Sequence, residues 1–283
     1  MKSILLPTDF STNAWNAISY ALQLFKDEDC TFHVLHTYTP SLQRVDYAVG
    51  GPVYSGIPDP LVDKALDGVE KTLLKIEENY SNPRHQFVTH TKFSLLVDEI
   101  KEITSKHHVD LVVMGTQGAT GARRVFFGSN TVAVINKTEV PVLAVPLDYK
   151  NRPLRQLLFV TDFLQNFNND SIKILLHVIE KTKPQITLLH ITDGVHALNS
   201  KQIQHKRQLE ELFDRYSGNE VINLEFQGSM PDSLFDFVKQ SDYQLLAMIN
   251  RKHSVLERLI RNQNIDQIGF ETNLPFLVIP PIG

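Results

Sequence analysis

The sequence says the same thing twice. "ILLPTDF" (4–10) returns as "LLFVTDF" (157–163), "TFHVLHT" (31–37) as "QITLLHIT" (185–192), and "VPVLAVP" (140–146) as "LPFLVIP" (274–280). In a chain of 283 residues no other feature restricts the fold as tightly, because a duplication fixes the number of units and sets equivalent residues in register. His36 falls opposite His190, and gap-free pairing back from the closing repeat sets Met114 opposite Met248 and Arg124 opposite Arg258. Each unit is then about 140 residues, an ordinary domain size. The seam lies at "DYKNRP" (148–153), polar and closed by proline as a linker is, so the expected domains are 1–148 and 153–283.

Within each unit the apolar runs are short, rich in Val, Leu and Ile, and separated by stretches of helical periodicity, the pattern of βαβ units around a parallel sheet. Strands are expected at 3–7, 31–36, 86–91, 111–115 and 142–145, and again at 156–161, 185–190, 221–225, 244–248 and 276–279. Ser11 or Thr12 caps the first helix, whose Ala14, Trp15, Ile18, Ala21, Leu22 and Phe25 recur at helical spacing and cover one sheet face. That stripe, Trp15 included, is core. The expected class is α/β, with two doubly wound domains in tandem. Such sheets bind ligands outside the carboxyl ends of their strands, where the strand order reverses. The residues to inspect are therefore those just past the strands: Thr8, Asp9, Thr37 and the segment that follows Met114.

That segment, "MGTQGATGARRVFFGSN" (114–130), holds Gly115, Gly118, Gly121 and Gly128. Gly115 ends a buried strand, where a missing Cβ admits backbone or a flat ring. Gly118 and Gly121 permit positive φ, and a loop of that kind turns successive N–H groups inward as an anion nest. "GSNTVAVIN" then opens a helix whose first amides face whatever lies before it, with phosphate the natural guest. Ser129 caps that helix or donates to a phosphate oxygen, Asn130 and Thr131 add first-turn amides, and Arg123 and Arg124 stand in the loop as solvated or charge-neutralising cations.

Gly115, two residues, Gly118, nine residues, Gly128 and Ser129 together resemble the G-x2-G-x9-G-[ST] signature of the universal stress protein family. "ILLPTDFS", "VLHT" and "VPVLAVP" resemble that family's first, second and closing strands. The resemblance covers nearly all of the first unit and the frame of the second, which marks the chain as a tandem member. It implies two flavodoxin-like or Rossmann-like (HUP-type) domains, each a five-stranded, mainly parallel sheet with helices on both faces. It also implies ATP, or AMP or ADP, as a bound cofactor, with Mg²⁺ held through the phosphates. Carried over by position, Asp9 approaches the ribose hydroxyls while Pro7 and Thr8 shape the same wall. Thr37 reads the adenine edge through its backbone, Met114 and Gly115 pack beside the nucleoside, and Gln117, Gly118, Gly128, Ser129, Asn130 and Thr131 hold the phosphates. Gln117 departs from the histidine common in the family. Closing strands that pair in the family's dimers would here pair within one chain, 142–145 with 276–279, and leave a further homodimer open. The resemblance also implies a stress-response protein that binds rather than turns over its nucleotide, with weak ATPase activity at most.

For Asp9, a turn or cap at the start of the first helix is the alternative reading. The second unit keeps Asp162 but sets Ile249 opposite Gly115, Lys252 opposite Gly118, Asn262 opposite Gly128 and Gln263 opposite Ser129. A β-branched Ile249 is expected to refuse the backbone angles and to project into the ligand's space, so the second domain is expected to be degenerate and Asp162 structural.

Other chemistry finds little support. No G-x-x-x-x-G-K-[ST] loop, G-x-S-x-G elbow or H-E-x-x-H helix occurs, nor an S-G-G-x-D-S or H-I-G-H motif of the nucleotide-using α/β enzymes. His33 and His36, three apart on a strand, face opposite ways, His107 and His108 sit at a helix end, and no protein-held metal is expected. His36 and His190 are read as hydrogen-bonded structural residues. Glu77–Glu78 and Glu210–Glu211 diverge around helices and cannot share a proton. Cys30, the one cysteine, is read as a buried thiol. A net charge of −4 excludes the basic footprint of a nucleic-acid binder. "MKSILLPTDFST" is too short an apolar run for a secretion signal, and no segment reaches the ~20 apolar residues of a membrane span, so a cytoplasmic protein is expected. The segment 38–60, with Tyr47, Val49, Val53, Tyr54 and Ile57 among prolines and glycines, is a lid over the nucleotide, a partner contact or a surface insert. A scaffold acting through an unidentified protein partner, or through an apolar ligand in the second domain, is the competing function.

Overall fold

In the computed structural model the structure describes residues 1–38, 60–116, 128–164, 172–192, 194, 197–226, 230–250 and 274–280. The first half runs β1 (Lys2–Pro7), α1 (Thr12–Leu24), β2 (Cys30–Tyr38), α2 (Pro60–Tyr80), β3 (His85–Phe93), α3 (Leu96–Lys106), β4 (Leu111–Gly115), α4 (Ser129–Lys137) and β5 (Val142–Val145). The second runs β6 (Gln156–Thr161), α5 (Lys173–Thr182), β7 (Gln185–Thr192), α6 (Ser200–Asp214), β8 (Asn219–Glu225), α7 (Met230–Lys239), β9 (Leu245–Ile249) and β10 (Phe276–Ile279).

These strands form one ten-stranded sheet in the order β3-β2-β1-β4-β5-β10-β9-β6-β7-β8. Each half therefore has the order 3-2-1-4-5, which of the two common doubly wound arrangements is the Rossmann one. β1 pairs in parallel with β2 on one side and β4 on the other, and β6 likewise with β7 and β9. The halves meet where β5 pairs antiparallel with β10 and Leu143 lies opposite Leu277, its counterpart in the repeat. The pairing of closing strands implied by the resemblance is thus present within the chain.

Residue pattern follows position. β4, β5 and β10 are apolar and buried throughout, as strands covered on both faces must be, whereas the outermost strands β3 and β8 mix exposed polar residues with apolar ones. Ser11 is the N-cap of α1, its side chain accepting from Ala14 N, and Ala14, Ile18, Ala21, Leu22 and Phe25 are buried beneath it. Trp15 packs on that core, with the Lys75 ammonium 3.9 Å from its ring centroid. Cys30 is fully buried, which pushes its thiol up to about 12. At the seam one residue, Tyr149, is buried while its neighbours are exposed. Tyr149 is 6% exposed, stacks edge-on against Tyr20 at 5.6 Å and donates to the Gln244 carbonyl, while Asn16 Nδ2 donates to the Pro146 carbonyl at 2.7 Å.

Candidate functional site

The sheet reverses its order between β1 and β4, so their carboxyl ends frame the place where a doubly wound sheet holds its ligand. β1 leaves the ladder after Thr8 N donates to the Leu35 carbonyl at 2.8 Å. Three side-chain oxygens then take three successive needs of the backbone. Thr8 Oγ1 accepts from Phe10 N at 3.0 Å, Asp9 Oδ1 from Ser11 N at 3.0 Å and Ser11 Oγ from Ala14 N at 3.2 Å. Phe10 sits at φ 64°, in the left-handed region that costs a residue with a Cβ about 1–2 kcal/mol. Packing holds it there. Its ring stacks on His36 with centroids 4.2 Å apart and lies against Gly68 of α2, where a Cβ would come within 2.3 Å of Phe10 Cε2. A glycine in a helix interior, itself unfavourable by about 1 kcal/mol, is thereby explained. His36 Nδ1 lies 2.8 Å from the Thr8 carbonyl and must carry the proton it shares with that oxygen.

The second half repeats this turn. Thr161 Oγ1 accepts from Phe163 N and Asp162 Oδ1 from Leu164 N, each at 2.9 Å, and Phe163 has φ 54° with its ring 5.0 Å from that of His190. The aspartate in both halves is thus a turn former, while Ser11 performs the capping of α1. Asp9 is exposed, so its carboxylate keeps a face toward solvent. The turn of the second half is overlaid by α6: Gln202 Nε2 donates to the Asp162 carbonyl and His205 Nδ1 to the Phe163 carbonyl, both at 2.9 Å.

At the end of β4, Gly115 meets a neighbour the sequence reading did not name. A Cβ there would lie 2.7 Å from both Cγ and Nδ2 of Asn13, whose buried amide fills the space from the first turn of α1. Gly115 has extended rather than left-handed backbone, so space and not φ requires the glycine, and Ile249 occupies the matching strand position in β9 with no backbone difficulty. This corrects the conformational part of the expectation for Ile249. Beyond Gly115, Thr116 N donates to the Val145 carbonyl and the Thr116 carbonyl accepts from Gly128 N at 2.6 Å. Gly128, not Ser129, is the N-cap of α4, and it brings no side chain to the helix end. Thr131 is 2% exposed and its hydroxyl donates to the Gly115 carbonyl at 2.9 Å, so Thr131 pins α4 to β4 rather than offering its side chain to a ligand. The first-turn amides of Ser129, Asn130 and Thr131 are those a helix leaves without internal acceptors, and Ser129 and Asn130 are exposed.

Thr37 belongs to β2, which runs to Tyr38 and not only to residue 36, and it pairs with Lys92. Backbone groups alternate sides along a strand, and the Leu35 carbonyl faces β1, so the N–H and C=O of Thr37 face the side that β1 has already left. Pro7 and Thr8 are buried at the end of β1, and Met114 is 6% exposed within the core. Among the expected site residues, Pro7, Thr8, Asp9, Thr37, Met114, Gly115, Gly128, Ser129, Asn130 and Thr131 all lie at this end of the sheet. Gln117 and Gly118 lie outside the described residues, as do Gly121, Arg123, Arg124, Lys252, Arg258, Asn262, Gln263 and most of 38–60. Among the described residues no helix is long and apolar enough to cross a membrane.

Comparison with known proteins supplies the family. Residues 1–146 match the model of the universal stress protein family. The universal stress protein MJ0531 of Methanocaldococcus jannaschii is 29% identical over 147 residues, 51% of this chain and 81% of that protein. The universal stress protein YxiE of Bacillus subtilis is 25% identical over 161 residues, 51% of this chain and 98% of that protein. A crystal structure of a universal stress protein from Archaeoglobus fulgidus covers 98% of both chains with a TM-score of 0.68 and 18% sequence identity, which extends the likeness of fold to the second half.

Proposed function

The chain belongs to the universal stress protein family, and within it we propose that the first half binds an adenine nucleotide, ATP or AMP, at the carboxyl ends of β1 and β4 while the second half does not. The observation that carries this reading is the way the end of β4 is joined to the start of α4. Gly128 N ties back to the Thr116 carbonyl and the Thr131 hydroxyl to the Gly115 carbonyl, and the side-chain-free cap supports a reading in which the first-turn amides of α4 face a ligand at the carboxyl end of β4. Phosphate oxygens are the ligands such amides suit, and Mg²⁺ would arrive held by those oxygens. Asp9, exposed at the end of β1, is the proposed partner of the ribose hydroxyls. The backbone of Thr37 supplies the polar edge an adenine needs. Gln117 and Gly118, by sequence, complete the phosphate side.

Binding rather than turnover is the proposed act, in a cytoplasmic regulatory protein whose domains are 1–148 and 153–283. The test is direct. Acid release and mass spectrometry of freshly purified protein, followed by calorimetric titration with ATP and with AMP, should find an adenine nucleotide bound at one per chain. No carried nucleotide and no binding heat would leave the scaffold reading in its place.

A further inference from the structure

A second group of polar side chains lies away from the strand ends. His33 in β2, His90 in β3 and His107 at the carboxyl cap of α3 bring ring nitrogens that are all within 4.8 Å of one another. The register explains the meeting. His33 pairs with Val88 and Leu35 with His90, so the two histidines are diagonal neighbours on one face of the sheet, and α3 delivers His107 to the same place. His33 and His36 do face opposite ways, as alternation requires; the partners of His33 come from elsewhere in the chain.

We propose that His33, His90 and His107 form a binding site for a borderline divalent transition metal, Zn²⁺ foremost. Zn–N bonds of about 2.0–2.1 Å at tetrahedral angles set ligand nitrogens about 3.3 Å apart. His33 Nδ1 and His90 Nε2 already stand 3.0 Å apart, and the His107 ring centroid is 4.8 Å from that of His33 and 5.4 Å from that of His90, so small side-chain rotations gather the set. Only one proton fits between His33 Nδ1 and His90 Nε2. A metal takes that place, the N–H moves to the other nitrogen of its own ring, and all three ligands remain neutral imidazoles.

The electrostatics favour neutral rings. Burial, reinforced by His107, pushes the His33 imidazole down, and burial with His33, His107, Lys92 and Lys106 pushes His90 down to about 4. Imidazole without thiolate or carboxylate selects zinc, copper or nickel over magnesium or calcium. Three protein ligands leave a fourth position for water or a small anion, and His90 and His107 are half-buried, which gives it access. The positive charges of Lys92 and Lys106 near His90 oppose a dication and favour an anion in that fourth position.

The experiment uses the full chain without an affinity tag, stripped by a chelator and titrated with Zn²⁺ against a chromophoric chelator at neutral pH. One equivalent per chain is expected. His90→Gln and His107→Gln, at half-buried positions that tolerate an amide, should each weaken binding by at least about tenfold, with the melting temperature of the metal-free protein as the check on folding. His108→Gln, next to the cluster in sequence, should leave the affinity unchanged. Absence of a stoichiometric equivalent, or equal retention of zinc by His90→Gln and the parent, would overturn the proposal. ATP binding shares no residue with this site, so the two proposals fail or stand separately.

Discussion

The ends of β4 and β9 stand at matching places in the two halves and solve different problems. Each half sends its first strand into the same Thr–Asp–Phe turn, with the same two side-chain-to-backbone hydrogen bonds and the same left-handed phenylalanine. The fourth strands then part company. β4 ends in a glycine against which Asn13 packs, and its carbonyl is tied to the helix that follows. β9 ends in Ile249, and in that half Gln202 and His205 of α6 occupy the carbonyls of the aspartate turn. The turn is thus a folding device that both halves need. At the end of β4, among the described residues, stand a glycine in close contact with Asn13 and a helix start pinned by Thr131, and the proposed nucleotide site rests on these.

That contrast can be broken at several places, beginning with the largest effect. Phe163 is 1% exposed, and Phe163→Ala should cost about 3–5 kcal/mol in chemical denaturation, whereas Phe10→Ala, at a half-buried ring, should cost clearly less. Equal losses would mean that the two turns are supported alike. Next, Gly115→Val drives a side chain into Asn13 and should cost about 1–3 kcal/mol, most of it recovered in the Asn13→Ala background, while Ile249→Val should cost about 0.5 kcal/mol. A Gly115→Val loss that Asn13→Ala does not relieve would show that Asn13 is not the obstacle. Smaller again, Asp162→Ala and Asp9→Ala should each lose about 1 kcal/mol, the worth of one turn hydrogen bond, in melting experiments. Only the Asp9 variant should also weaken ATP binding.

The stability of the chain also depends on pH. His90 titrates near 4 in the folded chain against 6.5 for a free histidine, so the unfolded chain binds more protons between those values. The stability this contributes is fully present above pH 6.5 and is lost as pH falls toward 4. Melting of metal-free protein across that window should fall less steeply for His90→Gln than for the parent. Identical slopes would contradict the assignment.

Much of this was legible in the sequence. The short apolar runs and the repeat located the ten strands, because both are local signals, while the pairing of closing strands came from the family resemblance. Strand lengths were less so: β2 continues through Thr37 because β3 runs beside it to Phe93, a fact of pairing rather than of composition. The roles of Asn13 and Thr131 were not seen. Helical spacing does put Asn13 on the buried side with Ala17, but its contact is with a residue about a hundred positions away. The histidine cluster left no local signature either, since its members come from three elements and meet only through sheet register. The left-handed Phe10 was visible only as a repeated letter; its reason is the room left by Gly68.

The central claim is that one half of a duplicated fold keeps a nucleotide site and the other keeps only the turn. Hydrogen exchange of the full chain with and without saturating ATP tests it most directly. The account predicts slowed exchange at 8–11, 115–116 and 128–131, with 161–164 and 249–250 unchanged. Slowed exchange at the second turn, or none at either, would contradict it.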